Sequence, residues 1–298
     1  MQYSTIVSAI TDKFGVTSAA MTTRVKIYVN LVQQRVASRT EQLDYLLKRG
    51  QIVCVAPYTT GTVAVSNGGT TVTGTDTVWA TGMTGRKIRI AGRDEYYTLT
   101  YVSPTSLTID SAYVGDTETA ATYSIFQDEF SLASDVEKII TITNPNRRKR
   151  IDYIDPLKFE ELYLNSLVEG SPYIHTPAGR DSSNYIKVQL YPIPDDVYVL
   201  PYRYRKQIAD LSGDSDVSAI PNKYHELLVL GGLAMCYEWD KKFNQANGMW
   251  TQFDNMINDM IVDLDSGSED SVTVLGSDNG TFSGPTIGLD PSRFGAGR

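Results

Sequence analysis

Hydrophobic positions follow a helical period at both ends of the chain and a strand period between them. Val25, Val29, Val32 and Val36 step by four, three and four, which puts them on one helix face, and Leu43, Leu46 and Leu47 continue it. This predicts one helix or two joined helices over 18–48, with Thr17 or Ser18 as N-cap and Gly50 as the stop. Arg24, Lys26, Gln33, Gln34 and Arg35 take the opposite, polar side.

From 51 to 130 the period falls to two. Val63 and Val65 alternate with small polar residues, and Asn67-Gly68 is a hairpin signal. RKIRI (86–90), EYYTLTYV (95–102), SLTID (106–110) and TYSIF (122–126) follow, each bounded by turn residues. Short strands at this pitch predict a small all-β sandwich or barrel over 60–128.

Strand and helix then mix. VEKIITIT (136–143) runs into the turn NPN, and RRKRIDYI then gives a basic turn and another strand. Asp155-Pro156 opens a short helix over 155–164. YIKVQLYP (185–192) and VYVLPYRYRK (197–206) read as neighbouring strands across IPDD, with Tyr202 and Tyr204 alternating against Arg203 and Arg205. Helical spacing returns over 222–264. Gly231-Gly232 inside an apolar helix points to close approach of another helix, since each costs roughly 1 kcal/mol against alanine. Phe243, Ala246, Trp250, Phe253, Ile257, Met260 and Leu264 form a heptad-like seam, and Asn247-Gly248 interrupts its first turns.

The fold class is therefore α+β. A helical core made of an N-terminal helix and a C-terminal helical pair carries a mixed β segment, an inserted β module and an extended C-terminal segment. The boundaries read 1–59, 60–128, 129–264 and 265–298. Composition makes the last segment flexible, yet Val272, Val274, Leu275, Phe282, Ile287, Leu289 and Phe294 are spaced as anchors that could add a strand to another chain.

Charge narrows the function. Net charge is −8, without the basic footprint of a nucleic-acid binder, though an acidic wall can surround DNA without holding it. No apolar run reaches the ~20 residues of a membrane span, and the first residues lack a signal-peptide pattern. Two distant cysteines, Cys54 and Cys236, indicate no disulfide framework. His175 and His225 read as packed or solvated side chains. The loops DLSGDSD (210–216) and DSGSED (265–270) lack calcium-site spacing and read as solvated. Asp94 and Glu95, adjacent in a strand, point to opposite faces and cannot share one sugar. No nucleotide, zinc or nucleophile motif occurs, so no catalytic residue, metal or cofactor is expected. Arg147, Arg148, Lys149 and Arg150 form an exposed turn that could meet an acidic partner surface or passing DNA. The excess of tyrosine, 19 against 8 phenylalanines, suits wet interfaces.

Several segments together resemble the head–tail adaptor (connector) proteins of tailed bacteriophages. VKIYVNLVQQRVASR (25–39), with Asn30 inside an amphipathic run, is similar to the opening helix of that family. The threonine-rich block 61–130 resembles the β module such adaptors insert after it. DVEKIITITNPN and RIDYIDPLKFEELY (135–163), GSPYIHTPAG (170–179) and IPNKYHELLVLGGLAMCYEWDKK (220–242) resemble the core strand, helix, loop and closing helices.

The resemblance implies a non-enzymatic ring of about twelve copies. Such a ring docks under the portal protein, extends the DNA channel and presents a surface to tail and nozzle proteins. Genomic DNA passes through without sequence-specific contact. The protein would be made in the host cytoplasm and sit at the virion head–tail junction. In that frame Phe243, Trp250, Phe253, Ile257 and Met260 are helix-packing positions. The alternatives are a glycan-binding tail protein, with Trp79, Tyr96, Tyr97 and Tyr113 as stacking platform, and a virion-associated hydrolase, which needs converging titratable groups.

Overall fold

The computed structural model describes residues 1–163 and 168–265. In chain order the helices are α1 (Tyr3–Phe14), α2 (Ala19–Arg39), α3 (Pro156–Tyr163), α4 (Glu226–Trp239) and α5 (Phe243–Asp265). The strands are β1 (Leu47–Val53), β2 (Thr62–Val65), β3 (Thr71–Thr75), β4 (Lys87–Ile90), β5 (Tyr96–Ser103), β6 (Ser106–Ile109), β7 (Glu118–Ala121), β8 (Tyr123–Phe126), β9 (Glu129–Ser131), β10 (Val136–Asn144), β11 (Lys149–Tyr153), β12 (Ile174–Arg180), β13 (Ile186–Tyr191) and β14 (Val199–Lys206). The class is α+β.

Ser18 caps α2 by accepting the Met21 N–H, and all four valines of the predicted stripe are fully buried. The helix ends earlier than its pattern suggests. Thr40 donates its hydroxyl to the Val36 carbonyl at 2.8 Å and closes the last turn at Arg39. Leu43 and Leu46 are buried in a turn beyond the helix, and Leu47 opens β1. Gly50 therefore stops nothing. It lies inside β1 opposite Tyr202, whose ring would be 2.4 Å from any Cβ added there.

Four helices, α1, α2, α4 and α5, form one body, while α3 packs through Phe159 against Ile174 and Tyr191 of the larger sheet. Leu227 through Ala234 of α4 are all buried, because α1, α2 and α5 surround that stretch. A Cβ on Gly231 would lie 2.5 Å from Val32 of α2, and one on Gly232 would lie 2.5 Å from Ile10 of α1. The paired glycines admit two helices at once. On α5, Ala246, Phe253, Ile257 and Met260 are buried and Trp250 packs beside them. Phe243, expected on the same seam, is 60% exposed at the first turn. Asn247-Gly248 does not interrupt α5. Helix α1, which ends at Gly15 in a left-handed conformation (φ 79°), had no counterpart in the sequence reading.

Among the described residues, two seven-stranded sheets accompany the helices. The smaller runs β7-β2-β3-β6-β5-β4-β8 around Val72, Ile88, Leu99, Leu107 and Ile125. The larger runs β1-β14-β10-β11-β12-β13-β9. β13 and β14 share this sheet but are not neighbours, because β10, β11 and β12 lie between them. The segment joining β13 to β14 spans the sheet rather than forming a hairpin.

Candidate functional site

The polar side of α2 is not a solvated face. Asn30 donates to the Leu211 carbonyl at 3.0 Å and accepts the Leu211 N–H at 2.9 Å. Gln33 and Gln34 donate to the carbonyls of Ala209 and Ile208. Arg24 stacks on Trp239 and Arg35 on Trp250, each 4.2 Å from the ring centre, and Arg39 pairs with Asp254. Loop 208–216 is thereby pinned. Its Asp216 carboxylate accepts two N–H groups of its own turn, which holds that acid below the usual carboxylate range, and Asp214 pairs with Lys26 at 2.9 Å.

Between the exposed Thr23 and Arg35, α2 also leaves an apolar pair open. Ile27 and Leu31, one turn apart, are 55% and 50% exposed. α3 and its flanks expose Leu157, Leu162, Tyr153 and Val168.

The basic run splits between two tasks. Asn144, almost fully buried, binds Ser171 and Pro172 through its amide nitrogen and accepts the N–H of Asn146. Arg147 donates to the Ser171 carbonyl at 3.0 Å and stacks over Tyr173. Arg148 takes the left-handed turn position (φ 52°), and Lys149 starts β11. Arg150 is directed elsewhere, opposite Thr143 in register. It lines an open trough of about 540 Å³ on the outer face of the larger sheet, with Arg49, Arg203, Ile140, Thr141 and Thr143. Arg49 and Arg203 escaped the sequence reading, since they are far apart in the chain. The alternation in β14 carried their only signal.

Arg205 departs from that alternation. It is buried, donates to the Ala37 carbonyl at the end of α2, and faces the Glu137 and Glu41 carboxylates at 3.1 and 3.4 Å. The Ala37 carbonyl, which also accepts the Thr40 N–H at 3.3 Å, and the two carboxylates together hold its guanidinium inside.

The remaining candidates scatter. His175 is buried in β12 beside Tyr153, and His225 is buried in the helical body with Nε2 2.8 Å from the Ile220 carbonyl. Burial lowers the pKa of both. Asp94 and Glu95 lie in the exposed turn before β5, not within the strand, with Arg93 4.0 Å from Glu95. Among the described residues no group of three or more His, Cys, Asp or Glu is placed to hold a metal, and no helix is long and apolar enough to cross a membrane. Of the four aromatics proposed as a glycan platform, Trp79, Tyr97 and Tyr113 are buried in the smaller sheet's core; only Tyr96 is exposed. Trp79 donates to the Tyr123 hydroxyl at 3.0 Å. That platform does not exist on the surface. The anchors Val272, Val274, Leu275, Phe282, Ile287, Leu289 and Phe294 lie outside the described residues.

The sequence model of the SU10 adaptor protein family matches residues 112–275, more than half of the 298. The chain belongs to the SU10 adaptor protein family. It is a structural adaptor of phage type. No curated protein matches the sequence.

The adaptor match starts ahead of β7 and includes all later elements through α5. Two earlier elements complete that matched core. α2 fills the groove at Gly231, and β1 pairs with β14 along its whole length. The smaller sheet is built mostly from residues before the match.

Proposed function

We propose that this adaptor assembles as a closed ring of identical copies beneath the portal at the head–tail junction, extends the channel for DNA and offers its far side to tail proteins. The outer face of α2 carries this reading. Its inner face already holds the core valines, yet Ile27 and Leu31 are half exposed one turn apart on the other side. A helix of an isolated globular protein is usually polar there. A heterologous contact that closes into a ring buries such a ridge against the next copy.

The net charge of −8 suits a wall past which DNA slides. The chain acts by binding rather than by bond-breaking. The smaller sheet, with its own core, sits where it can vary without disturbing the ring.

The experiment is assembly on purified portal, read by negative-stain imaging and native mass. The wild-type chain forms a ring on the portal. Ile27→Glu with Leu31→Glu keeps the thermal midpoint within a few degrees and loses the ring. A double variant that still assembles, or a wild-type chain that never binds portal, overturns the proposal.

A further inference from the structure

Helices α2 and α5 carry opposite charge. From Ala19 to Arg39 the charged side chains are Arg24, Lys26, Arg35 and Arg39, with no acid. From Phe243 to Asp265 they are Asp254, Asp259, Asp263 and Asp265, with no base. Part of this charge is neutralised within the chain. Lys26 pairs with Asp214, Arg39 with Asp254 and Lys223 with Asp263. Among the described residues, neither the Arg35 guanidinium nor the Asp259 carboxylate forms a hydrogen bond or an ion pair.

Each of these two groups stands beside exposed apolar surface. Ile27, Leu31 and Arg35 follow one another in four-residue steps along the open side of α2, about 6 Å apart along the axis. Asp259 lies in an open groove of about 570 Å³ on the far half of α5, lined by Lys223, Tyr224, Met256, Asp259, Val262 and Asp263. Val262, three residues from Asp259 on the same helix face, is 69% exposed. No residue of α2 lines this groove, so ridge and groove do not meet within one copy.

We propose that the α2 ridge of one copy lies in the α5 groove of the next, with Arg35 on Asp259 and Leu31 against Val262. This rests on the ring reading and names the surface that receives its ridge. The two helices then run antiparallel, since Leu31 precedes Arg35 whereas Val262 follows Asp259. Stacked on Trp250 by its face, Arg35 keeps its N–H edge for a carboxylate, which that edge can hold through two parallel hydrogen bonds. A second copy supplies both halves of the match, apolar knob and opposite charge, at one helical spacing. Ridge and groove are different surfaces, so the contact is heterologous, and such a contact repeated by rotation closes a ring.

Disulfide trapping in the full chain tests this, because Cys54 and Cys236 are buried and do not compete. Leu31→Cys with Val262→Cys is oxidised with and without purified portal. Bonds between chains are read as a ladder on non-reducing gels and mapped by peptide mass. Leu31→Cys with Val102→Cys, its second thiol exposed on β5 of the smaller sheet, is the control. The 31–262 bond forms between chains about tenfold faster than the control. Asp259 is exposed, so Asp259→Arg leaves the fold intact, and it slows the bond by about the same factor. Arg35→Asp added on top restores it. Equal rates for the two cysteine pairs, or a rate indifferent to Asp259→Arg, overturn the inference. Imaging of the same samples on portal separates the two readings. Rings without the 31–262 preference mean that another protein covers the groove and overturn the helix contact alone. The bond in chains that never bind portal overturns the adaptor proposal alone.

Discussion

Lys87 Nζ lies 2.8 Å from Asp128 Oδ2, with both side chains almost wholly buried, and this pair ties the two sheets together. Lys87 belongs to β4 of the smaller sheet. Asp128 stands at the entry to β9, where Gln189 of β13 also donates to it at 2.8 Å. Glu129 completes the junction, 3.2 Å from Lys87 and 2.6 Å from Lys187. The smaller sheet is thus held through buried charge as well as through its chain connections.

Removing one partner of a buried ion pair strands the other. Lys87→Met is expected to cost about 3 kcal/mol in urea unfolding. Lys87→Met with Asp128→Leu recovers most of that loss. A double variant no better than the single one contradicts the account.

The same junction gives a pH signature at both ends of the scale. Burial opposes the charge on Lys87, but the Asp128 and Glu129 carboxylates outweigh it and raise its pKa. Its contribution is therefore present below the unfolded value, ~10.4, and is lost as pH rises through the higher folded value. Burial likewise opposes the charge on Glu129, but the hydrogen bond from Lys187 and the charge of Lys87 outweigh it and lower its pKa. Its contribution is present above ~4.3 and is lost as pH falls through the depressed folded value. Chemical denaturation across pH should show both losses, and Lys87→Met should abolish the alkaline one and shrink the acidic one.

Gly231 and Gly232 should not respond alike to alanine. At Gly231 the new Cβ meets the stiff, branched Val32 at 2.5 Å, with Phe253 at 3.3 Å. At Gly232 it meets the end of the Ile10 side chain, which can turn aside. Gly231→Ala is expected to lose about 2 kcal/mol by thermal or urea unfolding, and Gly232→Ala at most about half of that, since overpacking outweighs the helix-propensity gain only where neighbours cannot yield.

Asn30→Ala breaks both hydrogen bonds to Leu211 and leaves that N–H and carbonyl without their partner. The expected loss is about 2 kcal/mol. Hydrogen exchange should quicken at Leu211 while the interior of α2 stays protected.

Both thiols are buried. Burial pushes Cys54 up to about 12 and Cys236 up to about 11. The native chain should therefore leave a disulfide reagent such as DTNB unreacted at pH 8, and both thiols should titrate once urea unfolds it. A fast-reacting thiol in the native state contradicts the burial.

The sequence by itself determined which segments are helix and which are strand wherever one face repeats without interruption. The α2 valines, the α5 seam, the threonine-rich hairpins and the Asp155-Pro156 helix start all follow from local spacing and turn chemistry. The glycine pair announced a close helix contact because glycine inside a helix needs some offsetting gain. Tertiary structure decided the rest. Thr40 and Tyr202 ended the helix pattern that leucines seemed to prolong, since hydrophobic spacing records burial and not conformation. The Ala37 carbonyl and the Glu41 and Glu137 carboxylates held Arg205 inside while Arg203 stayed out, and no periodicity distinguishes the two. The trough of Arg49, Arg150 and Arg203 arises only from strand order, because pairing across a sheet is set by cooperative packing of distant segments and leaves no mark on any one of them.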